Sequence, residues 1–283
     1  MIKILLTGST GFIGSYLLKK LCKKNKIYVI LRKKRNNVLR NKNIKQIYYN
    51  NYEDLNKKIK KIKVNTIIHC ATHYVKQHKF DDINKLSNSN ILFGNIILEN
   101  LKMMGVKKFI NFSTVWENFN GKKENYFNLY AAYKASFLNI INFYNKKLNN
   151  IKFFNLVISD TFGESDKRNK LINILKKNYK KNRKTKIVSK NLYINLINVS
   201  DINNAIELIL KSNFKSGSYS LNNRKDFKIT EIIDAINNNL NKKIKVMWLS
   251  NKIIKEKIYK FKFLKNWKIN NSKIKDIIGI ITR

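Results

Sequence analysis

Tyr130-Ala-Ala-Tyr-Lys134 sets a phenol and an ammonium one helical turn apart. A nearby cation favours the phenolate and so lowers a tyrosine pKa from its reference of about 10. Such a tyrosine can pass a proton to or from a carbonyl or hydroxyl while hydride moves at the carbon. The spacing alone is cheap in a lysine-rich chain with Tyr 14. A second match, Tyr16 and Lys20, is read as helix surface. Context selects the first: Phe109-Ile-Asn-Phe-Ser113-Thr114 reads as a strand ending in hydroxyls, sixteen residues before Tyr130. Ala131, Ala132 and Ala135 give the Tyr130 helix a small face in an alanine-poor chain.

The second device is a glycine turn. Thr7-Gly-Ser-Thr-Gly-Phe-Ile-Gly14 follows an apolar run and opens a helix, and it holds three of the Gly 9 in the chain. Such a turn aims backbone N–H groups, and the positive end of a helix, at a pyrophosphate. Gly8 permits the turn, Gly11 admits the phosphates and Gly14 lets helix pack on strand. The pattern predicts a dinucleotide. At the end of the second strand, where an acid would hold the ribose 2′-OH of NAD, stands Arg32, followed by Lys33, Lys34 and Arg35. A cation there suits the 2′-phosphate of NADP, with NAD as the alternative.

The elements that must hold these residues follow from hydropathy. Apolar runs at Lys3–Leu6, Ile27–Leu31, Ile44–Tyr49, Thr66–His69, Lys108–Phe112 and Phe153–Ile158 alternate with helical patterns at Asp54–Ile62, Ile83–Met104 and Tyr130–Leu148. That rhythm predicts an α/β fold, a doubly wound parallel sheet of Rossmann type over residues 1–158. Residues 159–283 are expected to form mainly a small C-terminal α/β substrate-binding part. Its helices are expected at Leu171–Tyr179, Ile202–Leu210, Thr230–Leu240 and Ile253–Phe261, and a late strand near 192–198 is expected to return to the main sheet.

Lys+Arg 59 against Asp+Glu 17 gives a formal net charge of +42. Lysines run from end to end, Pro is 0, and A/T-rich codons are favoured throughout, so the charge reads as base-composition bias. No basic strip is interleaved with stacking aromatics, and no specific nucleic-acid partner is expected. No apolar run approaches the roughly 20 residues that span a bilayer. Ile2 to Leu6 is too short for a signal-peptide core, and Cys22 and Cys70 are isolated, so a cytoplasmic globular protein is expected. His69 and His73 stand four apart without the intervening glutamate of a helical zinc motif, so no metal site is expected. Trp116, Trp248 and Trp267 read as core or cleft wall.

The chain resembles the extended short-chain dehydrogenase/reductase superfamily, in its nucleotide-sugar epimerase/dehydratase/reductase branch. The resemblance rests on Thr7–Gly14, His69-Cys-Ala-Thr72, Asn90 before an apolar helix, Ser113-Thr114, Tyr130xxxLys134, Asp160-Thr-Phe-Gly163 and Val199-Ser-Asp201. It implies that Thr114 hydrogen-bonds the reacting sugar oxygen, Tyr130 is the acid/base, and Lys134 orients the cofactor ribose and tunes Tyr130. It implies cofactor contacts from Thr7, Gly8, Thr10, Gly11, Phe12, Ile13, Gly14, Arg32, Cys70, Ala71, Thr72, Asn90, Tyr130 and Lys134. The stretch from Asp160 through Arg168-Asn-Lys170 is similar to that of CDP-abequose and CDP-paratose synthase-like members, implying nucleotide-sugar contacts from Arg168 and Lys170. Dehydratases of the family carry Asp-Glu after the threonine, whereas Thr114 precedes Val115 and Trp116. Reduction of a 4-keto-6-deoxy nucleotide sugar, for surface polysaccharide synthesis, is therefore expected. A 4-epimerase is the nearest alternative, and a non-catalytic dinucleotide-bound scaffold or polyanion-binding protein is an alternative of another class. The family also implies a homodimer through helices 83–104 and 130–148, whose apolar faces could equally be buried on the sheet.

Overall fold

The computed structural model describes residues 1–32, 39, 41–239 and 243–282. Strands β1 (Lys3–Thr7), β2 (Lys26–Leu31), β3 (Ile44–Tyr48), β4 (Thr66–His69), β5 (Lys108–Thr114) and β6 (Lys152–Ile158) are all parallel. The chain then makes short strands β7 (Asp160–Phe162), β8 (Thr185–Ile187), β9 (Tyr193–Ile194) and β10 (Leu196–Asn198), and β11 (Gly217–Leu221) joins the main sheet beside β6. The sheet order is β11-β6-β5-β4-β1-β2-β3. The chain reverses direction across the sheet between β1 and β4, the place where doubly wound folds open a ligand crevice.

Both faces of the sheet are covered, which is why its central strands are nearly continuous apolar runs. On one face lie α1 (Phe12–Leu21) and, later in the chain, the helix beginning at Val199; Leu17, Leu21, Ile202 and Ile206 meet Ile4, Leu6 and Phe154 there. On the other lie α2 (Tyr52–Lys60), α3 (Phe80–Ser87), α4 (Phe93–Glu99), α5 (Leu101–Met104) and α6 (Leu129–Lys147), with Leu55, Ile97, Leu101 and Phe137 against Leu5, Ile67 and Phe109. The helices α7 (Leu171–Lys180), α8 (Val199–Lys211), α9 (Ile229–Asn237) and α10 (Ile274–Thr282) complete the chain with β12 (Phe227–Lys228) and β13 (Val246–Trp248). A separate core of Ile172, Leu175, Ile232, Ile236 and Ile277 binds α7, α9 and α10 together.

Three expectations fail here. Residues 192–198 do not return to the main sheet: β9 pairs with β12 and β10 with β7, and the free edge of β6 goes instead to β11 after the α8 crossover. The run 192–198 is interrupted by Asn195, whose side chain bonds Asn223 and Asp226, whereas Gly217–Leu221 offers β6 five residues in register. Ile253–Phe261 is not helical: the backbone of Ile254 bonds Asn191 and Tyr193, and that bridge outcompetes local helix formation. Ile83–Met104 is not one helix but α3, a π-turn at Asn88–Leu92, α4 and α5. Beyond α9, which ends at Asn237, the expected helix terminus Leu240 lies outside the described residues. No helix among the described residues is long and apolar enough to cross a membrane.

The C-terminal strap is tied down by one carboxylate. Asp201 is fully buried in the first turn of α8. It accepts bonds from the amides of Asn270 (3.1 Å) and Asn271 (3.0 Å), from Asn271 Nδ2 (3.1 Å) and from Ser272 Oγ (2.6 Å). Trp267 Nε1 donates to its carbonyl at 2.9 Å. Asp201→Ala keeps the carbonyl that Trp267 uses but strands the Asn270, Asn271 and Ser272 donors without the carboxylate acceptor, at an expected cost of about 3 kcal/mol or more. Scanning calorimetry should find the thermal midpoint lowered by roughly 6–12 °C. A variant melting within about 2 °C of wild type would refute this account of the strap.

Candidate functional site

The carboxyl ends of five strands open into one cleft of about 1240 Å³. Gly8 after β1, Arg32 after β2, His69 and Cys70 at β4, Thr114 at β5 and Ser159 after β6 all line it. The glycine turn forms its floor. Gly8 has φ +65°, and a Cβ there would lie 2.6 Å from the Ala71 nitrogen. A Cβ on Gly14 would lie 2.2 Å from the Gly8 carbonyl oxygen, so α1 can start this close to β1 only without one. Gly11 caps α1 with no side-chain partner for the first-turn N–H groups, which face the cleft beside Thr10, Phe12 and Ile13. This is a cradle of backbone donors that fits a dinucleotide pyrophosphate.

Two of the residues expected at the cofactor stand behind the wall. Thr7 is fully buried; its Oγ1 accepts the Ala71 amide at 3.1 Å and meets His69 Nδ1 at 3.1 Å. Asn90 is buried in the π-turn, where Oδ1 accepts from the His73 amide (2.7 Å) and Thr72 Oγ1 (3.1 Å), and Nδ2 donates to the His73 carbonyl. Both hold the loop that carries Cys70, Ala71 and Thr72 along the cleft. Arg32 lines the far end, with Nε donating to Tyr49 (3.2 Å) and Nη2 to Ser89 (3.0 Å). Lys33, Lys34 and Arg35 lie outside the described residues.

The hydroxyl and amine residues gather on the opposite side. Asn128 caps α6 by accepting the Ala131 amide at 3.0 Å, and its Nδ2 donates to the carbonyls of Val75 and Lys76. That cap fixes where the helix starts, so Tyr130 falls in its first turn and Lys134 one turn on, and both line the cleft with Thr114. Tyr74 packs edge-on against Tyr130 at 5.1 Å, and Trp116 and Phe127 continue the aromatic wall. Tyr16 and Lys20, the rival pair, form a cation–π contact on α1 outside the cleft lining.

Burial governs the titratable groups. It is the largest influence on Tyr130 and holds the phenol above its ordinary range despite the opposing influence of the Thr72 side chain. The lowering expected from Lys134 is therefore not what this geometry produces. Lys134 is itself 4% exposed, and burial pulls its pKa down to about 8 against the upward pull of Glu117 and Cys70. Cys70 is pushed up and His69 down to about 3, both by burial, so the thiol and imidazole are neutral. His69 stacks among Phe93, Phe109 and Phe137. No group of three or more His, Cys, Asp or Glu among the described residues is placed to hold a metal ion.

Arg168 and Lys170 line the cleft beyond Tyr130. The Arg168 guanidinium lies over the Phe12 ring at 4.2 Å, bonds both oxygens of Asp166 at 2.8 Å and reaches Thr161. Lys170 bonds Asp160 at 2.8 Å and lies over Tyr74 and Trp116; burial lowers its pKa, Asp160 raises it, and the second prevails. Two acids were not singled out from the sequence. Glu256 lines the cleft from the extended 253–258 segment, pushed up to about 7 by burial. Glu117, 4% exposed, accepts a hydrogen bond from Ser113 Oγ just behind Thr114.

A profile of the NAD dependent epimerase/dehydratase family matches residues 4–222, and the chain belongs to that family of enzymes. It is 27% identical over 240 residues to a CDP-abequose synthase of Yersinia pseudotuberculosis, covering 83% of each chain. A UDP-glucuronic acid 4-epimerase from Bacillus cereus, solved with UDP-glucuronic acid and NAD, superposes with TM-score 0.79 at 18% identity over 99% of both chains. A UDP-glucose 4-epimerase from Thermus thermophilus, solved with NAD, gives 0.78 at 17% identity, again over 99% of both.

The buried imidazole makes a pH prediction. Unfolded, His69 titrates near its reference of about 6.5, whereas folded it stays neutral to about 3. Between those values the unfolded chain takes up a proton that the folded one refuses, so stability is lost as pH falls through the window. Wild type should lose up to about 1.4 kcal/mol per pH unit more than His69→Gln there. Urea unfolding of both from pH 4 to pH 7 checks it, and parallel curves would contradict the burial argument.

Proposed function

We propose that this enzyme is an NADP-dependent nucleotide-sugar reductase acting on a 4-keto-6-deoxy nucleotide sugar. The observation that carries the reading is that Thr114, Tyr130 and Lys134 open onto the same cleft as the Gly8–Gly14 turn and Arg32. Similarity to CDP-abequose synthases over most of the chain supports a sugar nucleotide as substrate. Bound NADPH would supply the hydride to the substrate carbonyl carbon. Thr114 Oγ1 donates a hydrogen bond to the carbonyl oxygen, and Tyr130 delivers the proton that converts it to a hydroxyl. Lys134 holds the ribose and offsets the negative charge left on Tyr130. Arg168 and Lys170 supply cations toward the substrate phosphates, and the aromatic wall of Tyr74, Trp116 and Phe127 suits the apolar face of a deoxy sugar. Val115 and Trp116 after Thr114 provide no acid/base pair for dehydration.

The 4-epimerase reading has the solved neighbours in its favour. Stoichiometry separates the two. A panel of 4-keto-6-deoxy nucleotide sugars should oxidise one NADPH per product molecule, followed by absorbance and product mass. Interconversion of nucleotide hexoses with no net change in cofactor absorbance would overturn the reductase and favour the epimerase. The same reading takes the exposed Ile83 of α3 and Leu92 of the π-turn as part of a homodimer face, to be checked by sedimentation.

Two variants test the roles. Tyr130→Phe should fold and bind cofactor but lose nearly all turnover, since only the proton-carrying hydroxyl is removed, while Tyr16→Phe stays close to wild type. Equal behaviour of the two would sink the role of Tyr130. In calorimetry NADP(H) should bind at least about tenfold tighter than NAD(H), with the preference lost in Arg32→Ala, because a guanidinium pairs with a 2′-phosphate in charge-assisted bonds. Equal wild-type affinities would remove the case for NADP.

A further inference from the structure

Three acids line the cleft, and two of them are engaged within the chain: Asp160 by Lys170 at 2.8 Å and Asp226 by Asn195 at 2.9 Å. The third is Glu256. Its Oε1 is enclosed and meets no hydrogen-bond partner among the described residues. A buried acceptor left unmet is costly. On the wall of a ligand cleft, such an atom marks where a ligand donor belongs.

The segment that carries Glu256 is fixed from both sides. Ile254 bonds the backbone of Asn191 and Tyr193 at 3.1 and 2.8 Å. The Lys257 amide donates to Asn120 Oδ1 at 3.2 Å, and a Cβ on Gly121 would lie 3.2 Å from the Lys257 Cβ. Asn120 and Gly121 belong to the turn Val115–Gly121, which runs on directly from Thr114. Glu256 is thus held beside the segment that follows the threonine of the reacting centre.

The chemistry of the missing donor follows from the carboxyl. Burial pushes its pKa up to about 7, against the opposing influence of the Trp116 side chain, so both protonation states are populated near neutral pH. A carboxylate only accepts, whereas a carboxylic acid also donates; a hydroxyl does both and answers either form. A phosphate would be repelled by the ionised form. In the proposed substrate C4 is a ketone and C6 has lost its oxygen, so C2 and C3 are the ring carbons that can carry a hydroxyl.

We propose that Glu256 is a specificity-determining residue that hydrogen-bonds a hydroxyl on C2 or C3 of the hexose in the sugar nucleotide. This rests on the reading of the cleft as a sugar-nucleotide site, and its test needs no turnover.

The full chain is titrated calorimetrically with CDP-6-deoxyglucose or UDP-6-deoxyglucose, whichever wild type binds tighter. The 2-deoxy and 3-deoxy analogues of that ligand and the free nucleoside diphosphate follow. Wild type should bind the parent about tenfold or more tighter than one of the deoxy analogues, the size expected for a lost bond to a buried carboxyl. Glu256→Leu should bind the parent only as tightly as that analogue, with affinity for the free diphosphate unchanged. Glu256→Gln, which still accepts and donates, should keep the preference. A Leu variant that keeps the wild-type preference would overturn the proposal. So would one that weakens the free diphosphate as much as the sugar nucleotide, which would move Glu256 to the ribose. Wild type that binds the parent no tighter than both analogues, or than the free diphosphate, also overturns it. Should the Leu variant fail to fold, Glu256→Ala is judged by the same outcomes. If wild type reduces no keto sugar but the Leu variant loses the preference as stated, the reductase reading falls and this one stands.

Discussion

The Gly14 Cα rests where no side chain can stand, with the Gly8 carbonyl oxygen 2.2 Å from the place a Cβ would occupy. This backbone-on-backbone contact sets the angle at which α1 leaves β1, and α1 in turn covers one face of the sheet. Gly8 is pressed equally hard against Cys70 and Ala71, so the loop after β4 is held by the same contact from the other side. Thr7 and Asn90 then pin that loop from behind. The crevice at the reversal between β1 and β4 is therefore shaped by backbone packing and by buried hydrogen bonds, and its lining side chains hang from a rigid frame.

The main sheet was legible in the sequence because a parallel strand buried on both faces is a short apolar run, and each of the first six was preceded by lysine or asparagine. The glycine turn and the strand ending in Ser113-Thr114 were legible for a related reason. Rare residue types carry information in a chain dominated by Lys, Asn and Ile. The same dominance hid the C-terminal part. Ile253, Ile254 and Ile258 satisfy a helical period by abundance alone, yet the segment is extended because Asn191 and Tyr193 bond its backbone. Partners more than 60 residues away cannot be read from periodicity.

Asn90 and Glu117 illustrate two ways in which site residues escape a linear reading. Asn90 was identified with the cleft, but the π-turn at Asn88–Leu92 rotates it into the wall, where it organises the residues that do face the cleft. Periodicity could not reveal a π-turn inside an apolar helix. Glu117 had a signal that went unused: an acid three residues after Thr114, in a chain with only 17 acids. Its meaning depends on burial, which only the folded backbone determines.

Burial is the largest influence on five titratable groups at this site: it raises Tyr130, Cys70 and Glu117 and lowers Lys134 and His69. A dry pocket favours neutral forms of all five, and each charge it keeps must be held by another. That places the formal charge of +42 in perspective, because lysines on the solvated surface act on this pocket only through screened, long-range fields. Within it, one carboxyl, one ammonium and one phenol influence one another at low dielectric, where single charges act strongly. An oxyanion developing beside Thr114 would meet the same conditions, so donors fixed by β5 and α6 would stabilise it without reorganising. Under the proposed roles, the frame that buries these groups is thus also what lets a few charges serve proton transfer.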